Sequence, residues 1–342
     1  MTLTVRAAEA WLGPGRLVED VEIVCEAGEI VSVGAASPVA DDEVLEVDGF
    51  LMPAVADRHV HIGLSDPAAV LLGGVTAVRD LGWPPEQIFP LSDASELPTY
   101  NGPLVRAAGP MLTGPGGYPT QDGWAPPGTG REVKGPDDAR ATVVQLFGLG
   151  AAAIKVSLNA EAGPTPSDAE LGAIAEAAHE LGIPVTAHAQ GRGQVERALG
   201  AAVDELAHTP WTERLSDEVA ETAAKRLRIV STLDIQSYGH DTAEIRTALD
   251  NLRRFHAAGG VVIYGTDLGN GPIPAGIHLR EAMLLGEAGL EHEEVLEAMT
   301  RAPLEPGAPA DVIAVGSSPL DDLRALADLR LVVRGGAVMM ST

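Results

Sequence analysis

Between residues 51 and 303 the chain alternates short apolar runs with amphipathic stretches, eight times over, and this limits the fold more than any other feature. A parallel strand needs a crossover to bring the chain back to the same end of the sheet. A helix is the usual crossover, so the alternation implies βα units around a parallel sheet. Eight strands are expected, at 51–56, 76–79, 104–107, 152–156, 183–187, 203–207, 229–233 and 261–265. The intervening helices carry their own signals. Ser167-Asp168-Ala169-Glu170 reads as a capping box, Leu171, Ile174 and Ala178 share one face, and Gly182 ends the element. Another helix is expected over about 243–258, before Gly259-Gly260. Eight such units fit a (β/α)8 TIM barrel. A doubly wound sheet would call for a Gly-rich nucleotide loop, and no Gly-x-Gly-x-x-Gly follows the first strand.

The two ends read differently. Short strands at 3–6, 21–25, 30–33 and 44–47 are matched by a similar texture at 311–315, 331–333 and 337–339. One small composite β-sandwich built from both termini is therefore expected. The implied division is 1–50 and 304–342 for the sandwich and 51–303 for a catalytic barrel, which a chain of 342 residues accommodates comfortably.

Composition narrows the function. A formal charge of -26 repels polyphosphate backbones, so nucleic acid is a poor partner and a small-molecule substrate is favoured. No apolar run reaches the ~18 residues of a membrane span, and no basic segment with a hydrophobic signal core opens the chain, so a cytoplasmic protein that does not engage membranes is expected. The single cysteine, Cys25, has no internal disulfide partner and reads as a packed strand residue. A homo-oligomer is compatible with the type, but symmetric contacts leave no trace in one sequence.

In a barrel of this kind catalytic groups stand at the C-terminal ends of the strands. The polar residues fall there. The first strand runs into Asp57-Arg58-His59-Val60-His61, where alternate residues of an extended chain point the same way and can offer two imidazoles to one ion. Lys155 lies near the end of the fourth, and His188, His208 and Asp267 directly follow the fifth, sixth and eighth. Singly, each has an ordinary reading as a loop, capping or core residue. Metal ligands arriving at five separate strand ends are a different matter. Lys155 is one of only three lysines, flanked by Ile154 and Val156. An ammonium has no lone pair to give a metal, and burying one beside divalent ions is severely unfavourable, so it must change form unless it snorkels away.

The order His-x-His, Lys, His, His, Asp resembles the amidohydrolase superfamily, in particular its imidazolonepropionase-like and prolidase-like branch with a carboxylated lysine. Gly74-Val75-Thr76-Ala77-Val78-Arg79-Asp80-Leu81-Gly82, Ile154-Lys155-Val156, Val185-Thr186-Ala187-His188-Ala189, Gly265-Thr266-Asp267, Ala310-Asp311-Val312-Ile313 and Leu331-Val332-Val333-Arg334-Gly335-Gly336 carry the resemblance over nearly the whole chain. It implies a dinuclear centre with Lys155 as a carbamate, made from carbon dioxide and bridging the ions. His59, His61 and Asp267 would complete one metal, and His188 and His208 the other. Two divalent ions are implied; imidazole and oxygen donors suit zinc, and manganese, iron or cobalt could occupy the same set. The resemblance further implies hydrolysis of an amide-type C–N bond, in a peptide-like, N-acyl or cyclic amide, by a water that the two metals share, with Asp267 as proton shuttle.

Substrate choice is expected in the loops. The longest runs from Gly109 to Lys134 and places Tyr118 and Trp124 as candidate pocket residues; similar proteins often have Gly-Gly-His where this chain has Gly116-Gly117-Tyr118. After the seventh strand, Tyr238 and His240 are candidate substrate contacts, and His278 is a weaker one. His179, His256 and His292 read as helix-surface residues. The competing functions are a lactonase or other ester hydrolase on the same centre, a deaminase, which would dispense with the bridging lysine, and a non-catalytic ligand-binding barrel, which would have lost ligands.

Overall fold

The computed structural model describes residues 2–36 and 44–342; residues 1 and 37–43 of the expected N-terminal sandwich lie outside the described residues. Eight parallel strands form the barrel: Val55–Val60, Val75–Asp80, Leu104–Ala107, Ile154–Asn159, Val185–Gln190, Glu205–Leu206, Arg228–Val230 and Val261–Ile263. The third meets the fourth through Ala152 N–H to Ala107 O (2.8 Å). The eighth returns to the first through Arg58 N–H to Tyr264 O (3.1 Å), Asp267 N–H to His59 O (2.8 Å) and His61 N–H to Leu268 O (2.7 Å). Those last two bonds close the ring at the functional residues themselves.

Helix Asp168–Glu180 starts at the expected capping box, with Ser167 and Glu170 exchanging bonds, and Leu171, Ile174 and Ala178 are buried. Helix Ala243–Ala257 stops before Gly259, whose φ of +85° suits a residue without Cβ. Strand bounds differ from expectation in an instructive way. Residues 51–53 belong to the strand Val44–Pro53 of the terminal sheet, and the first barrel strand begins only at Val55, beyond Pro53, which has no N–H to give. The fourth and fifth strands run three residues further than their apolar runs, because Ser157, Asn159, His188 and Gln190 are polar yet remain in the parallel ladder. The expected loop from Gly109 to Lys134 is partly regular: Met111–Thr113 and Gly130–Glu132 pair in parallel.

Both termini build one seven-stranded sheet, in the order Ala337–Ser341, Leu329–Arg334, Val312–Val315, Val44–Pro53, Thr2–Trp11, Leu17–Glu26 and Glu29–Ala35. Its central strands are apolar at successive positions because both faces are covered. Val312, Ala314, Leu331 and Val333 join a core with Val5, Ile23 and the buried Cys25, while the alternate residues Ile313, Val315 and Val332, with Phe50 and Met52, pack into the core of the barrel. Each such buried side chain contributes roughly 1.5–3 kcal/mol. Trp11 adds a polar tie, donating its indole N–H to Glu293 at 2.9 Å. Among the described residues, no helix is long and apolar enough to cross a membrane.

Candidate metal centre

The first strand turns Asp57, His59 and His61 to one side, and two buried carboxylates hold that strand in place. Asp57 accepts His59 N–H (3.0 Å), Thr266 N–H (3.1 Å) and the Thr266 hydroxyl (2.5 Å), stitching the first strand to the eighth. Burial raises its carboxyl to about 6 against the pull of those bonds. Asp80, at the end of the second strand, accepts Ile62 N–H (2.8 Å) and Gly82 N–H (3.1 Å). The two histidines thus lie between fixed backbone anchors.

All four expected histidine ligands are buried, and each has one ring nitrogen engaged by the protein. His59 Nδ1–H donates to Ala207 O (2.8 Å) and His61 Nδ1–H to Gly82 O (3.1 Å); carbonyls only accept, so Nε2 of the neutral His59 keeps its lone pair, while His61 Nε2 faces the Asp267 carboxylate. His188 is engaged at the other nitrogen, Nε2, by Gln190 Oε1 (2.9 Å), and Gln190 is oriented in turn by donating to Glu161 (3.0 Å). His208 Nδ1 pairs with Thr232 Oγ1 at 2.9 Å. The remaining nitrogens face a common space. Ring centroids are 5.6 Å apart for His59 and His61, 4.6 Å for His59 and His208, and 4.6 Å for His188 and His208. Asp267 Oδ1 lies 3.3 Å from His59 Nε2 and 3.2 Å from His61 Nε2, and donor atoms of His59, His208 and Asp267 all fall within 4.8 Å of one another. Asp267 holds its place at a φ of +59°, a conformation that costs a non-glycine residue energy, with Asn270 donating to Oδ1 at 2.9 Å.

Lys155 points into the same space. Its strand alternates Lys155, Ser157 and Asn159 with Ile154, Val156 and Leu158, and the lysine is fully buried, with no hydrogen-bond partner for Nζ among the described residues. Beneath it, Glu205 accepts from Thr186 (3.0 Å) and pairs with Arg79 and Arg228. Burial lowers the Lys155 amine to about 7; Asp267 opposes this and the Arg79 charge adds to it. Burial likewise holds His59 and His208 well below the ordinary histidine value and His188 at about 4, with the Lys155 charge acting in the same direction on all three. His61 goes the other way: burial opposes its charged form, but the hydrogen bond and charge of Asp267 raise it. Three neutral imidazoles, an orphaned His59 Nε2 and an orphaned amine in one buried pocket are what a cation site needs, so these residues fit divalent metal.

The other candidates separate. Trp124 lies 4.9 Å from the His61 ring and Tyr118 5.4 Å from His188, so both border the cluster. Tyr238 stands on the turn after the seventh strand, at a φ of +43°, packed so closely on Gly271 that a Cβ there would lie 2.6 Å from its hydroxyl. His240 is exposed, and among the described residues no side-chain bond ties it to the cluster. His278 is structural: its ring meets Asp234 at 2.8 Å. His179 pairs with Asp204, His256 with Glu294, and His292 with the Leu320 carbonyl, all away from the cluster.

Several residues escaped the sequence reading. Trp211 lies 5.5 Å from His208 and 6.0 Å from His188, ring to ring. Asp57 shares the parity of His59 and His61, a signal that could have revealed it, and Gln190 bears the same relation to His188. Asp80 follows a strand end, as the ligands do. Asp234 and Glu281 form a separate network: Asp234 accepts from His278, Arg280 (2.6 Å), Ser237 (2.7 Å) and Gly239 N–H (3.2 Å), and Glu281 accepts Leu233 N–H and Asp234 N–H, both at 2.8 Å.

Comparison with known proteins agrees with this architecture. The structure matches a Xaa-Pro dipeptidase with bound methionine (21% identity, 99% of each chain, TM-score 0.83). It also matches the ochratoxinase of A. niger (20% identity, 99% of this chain and 96% of the other, TM-score 0.83) and phenylurea hydrolase B (18% identity, 99% and 96%, TM-score 0.82). At these identities the likeness shows the fold alone. A search of curated proteins gave no match. The sequence profile of the amidohydrolase family matches residues 50–338, most of the chain, and the chain therefore belongs to that family.

Proposed function

We propose that the chain is a dinuclear metal hydrolase that cleaves an amide-type C–N bond in a small molecule. One observation carries the reading: four buried histidines, the Asp267 carboxylate and a Lys155 amine that has no partner among the described residues share one pocket at the C-terminal ends of the strands. The similar dipeptidase acts on a peptide, by its name, and the prolidase-like branch is the one whose ligand order this chain repeats.

His59, His61 and Asp267 would hold one ion and His188 and His208 the other, zinc being the first candidate. Lys155 supports the bridge between them. With its amine lowered to about 7, a substantial fraction is neutral near neutral pH, so the nitrogen lone pair can attack carbon dioxide. An N–C bond forms, the nitrogen loses a proton to solvent, and the lysine ends as a planar carbamate whose two oxygens can serve two ions. Two divalent ions bound there supply a water of lowered pKa and polarise the scissile carbonyl. The protein does the rest. Gln190, Thr232, Gly82 O and Ala207 O fix the imidazole orientations, an arrangement that tunes metal affinity. Asn270 and the two imidazoles lie at Asp267 Oδ1, leaving Oδ2 to take the proton of the attacking water and pass it to the leaving nitrogen.

A panel of dipeptides, N-acyl amino acids, cyclic amides and lactones, tested on protein loaded with zinc or manganese in bicarbonate, checks the reaction class. Amide turnover that disappears on chelation is expected. Lactone hydrolysis with no amide turnover would transfer the site to ester chemistry.

A further inference from the structure

The mouth of the barrel gathers aromatic rings out of proportion to the chain. With four tryptophans, four tyrosines and four phenylalanines in 342 residues, aromatics are scarce, and half are committed to the core: Trp11, Trp83, Tyr264, Phe50, Phe89 and Phe255 are all buried. Of the six that retain exposure, Tyr118, Trp124 and Trp211 border the cluster, and Tyr238 stands on the turn after the seventh strand. Three of them are in ring contact with the metal-cluster imidazoles, and Tyr118 and Trp124 are 6.3 Å apart, so the wall continues from His61 across His188 to His208.

The wall is also held firmly. Behind Tyr118, a Cβ on Gly117 would lie 2.0 Å from Pro164 O and one on Gly114 2.7 Å from Thr165 O, so that loop sits against the 164–165 segment at backbone distance, and Gly116 N–H donates to Glu132 at 2.8 Å. Beside Trp211, the buried Asn251 amide donates to Pro210 O (2.9 Å) and Glu213 O (2.8 Å). Rings fixed before binding recognise a flat partner at little entropic cost.

We infer that the substrate carries an aromatic ring within one or two bonds of the scissile amide, seated against Trp124, Tyr118 and Trp211. Aromatic surfaces also attract cations, but a cationic group here would stand beside two divalent ions, and repulsion favours the neutral ring. The inference rests on the amide-hydrolase reading and names the substrate class of that site.

The test uses three N-acyl glycines: phenylacetyl and cyclohexylacetyl, whose rings lie one methylene from the amide and whose intrinsic reactivity is similar, and trimethylammonioacetyl, whose cation activates its carbonyl and which is therefore compared by binding alone. Cyclohexyl is the more hydrophobic ring, so a phenyl preference reports π contact rather than area. Turnover is measured on the metal-loaded protein, and binding by calorimetry on metal-loaded Asp267→Asn, which needs no turnover. Phenylacetyl should exceed cyclohexylacetyl by about five- to tenfold in kcat/KM and in affinity, from contacts of this kind. Trp124→Leu and Trp211→Leu should each reduce that ratio, whereas Phe147→Leu, on an exposed helix face, should leave it unchanged. Trp124→Phe and Trp211→Phe provide better-packed versions, and the wild-type ratio stands without any variant. A ratio near one, or tighter binding of the ammonium compound than of the phenylacetyl one, overturns the inference. Turnover without ring preference would leave the hydrolase reading intact, and ring preference without turnover would do the reverse.

Discussion

Two buried polar clusters lie within this barrel, and they are built on opposite principles. Around Asp234 and Glu281, the acceptors are supplied with donors: four to Asp234, two backbone N–H groups to Glu281, and the Tyr264 hydroxyl in turn accepts His278 N–H at 2.9 Å. Around Lys155, each histidine has a ring nitrogen held by a protein hydrogen bond and His61 also reaches Asp267, but among the described residues His59 Nε2 and the Lys155 amine have no hydrogen-bond partner. Burying polar atoms without partners costs folding energy, and it persists where a ligand restores the balance. The satisfied network shapes a loop; on the proposed reading, a cation would complete the other. The contrast separates structure from function without reference to any relative.

It also explains what could be read in advance. The convergence of His59, His61, Lys155, His188, His208 and Asp267 was legible because histidine, lysine and aspartate at strand ends are unusual and strand ends are countable. That Tyr118 and Trp124 border the cluster follows from the long loop that carries them. The Asp234 and Glu281 network was not legible, because Leu233, Asp234, His278, Arg280 and Glu281 meet only after the chain has closed, and nothing in their local sequence sets them apart. Trp211 was invisible for a related reason: three residues beyond His208, it looks like any loop tryptophan until Asn251 pulls its segment across the site. Polar residues at the mouth also concealed the true ends of the fourth and fifth strands.

The largest effect should come from Asp267→Asn. The amide keeps an oxygen donor but cannot shuttle a proton, so kcat on the best amide should fall by about 10³-fold, within the range of general acid-base catalysis, with most of the metal retained. Near-normal kcat in steady-state assays would defeat its role.

The next effect lies in the satisfied network. Glu281→Ala strands the N–H groups of Leu233 and Asp234, and should lower stability by about 3 kcal/mol in urea denaturation with the metal content unchanged. Loss of metal without loss of stability would show that the two clusters are not separate.

The unsatisfied cluster should respond with the opposite sign. In metal-free protein Lys155→Met replaces a buried, unpartnered amine with an apolar chain of similar size, and should raise stability by about 2 kcal/mol in the same denaturation series. Destabilisation of the metal-free protein would mean that the amine has a structural partner after all.

The smallest effect is in pH. Burial raises Glu281 from 4.5 to about 7, against the bonds that it accepts. Between those values the folded chain binds the proton more tightly than the unfolded one. Its contribution to stability is therefore full below pH 4.5 and declines as pH climbs through about 7. Denaturation of metal-free protein across that window should show the decline in wild type and its absence in Glu281→Gln. Equal slopes would remove Glu281 as the cause.

The central claim is that six residues from five strand ends make a two-metal site bridged by Lys155, and metal content tests it most directly. Protein reconstituted with zinc or manganese in bicarbonate and freed of excess ion should hold two ions per chain by elemental analysis, and Lys155→Ala should hold one or fewer. Less than one ion per wild-type chain under metal-replete conditions, or two in Lys155→Ala without any added carboxylate, would contradict it.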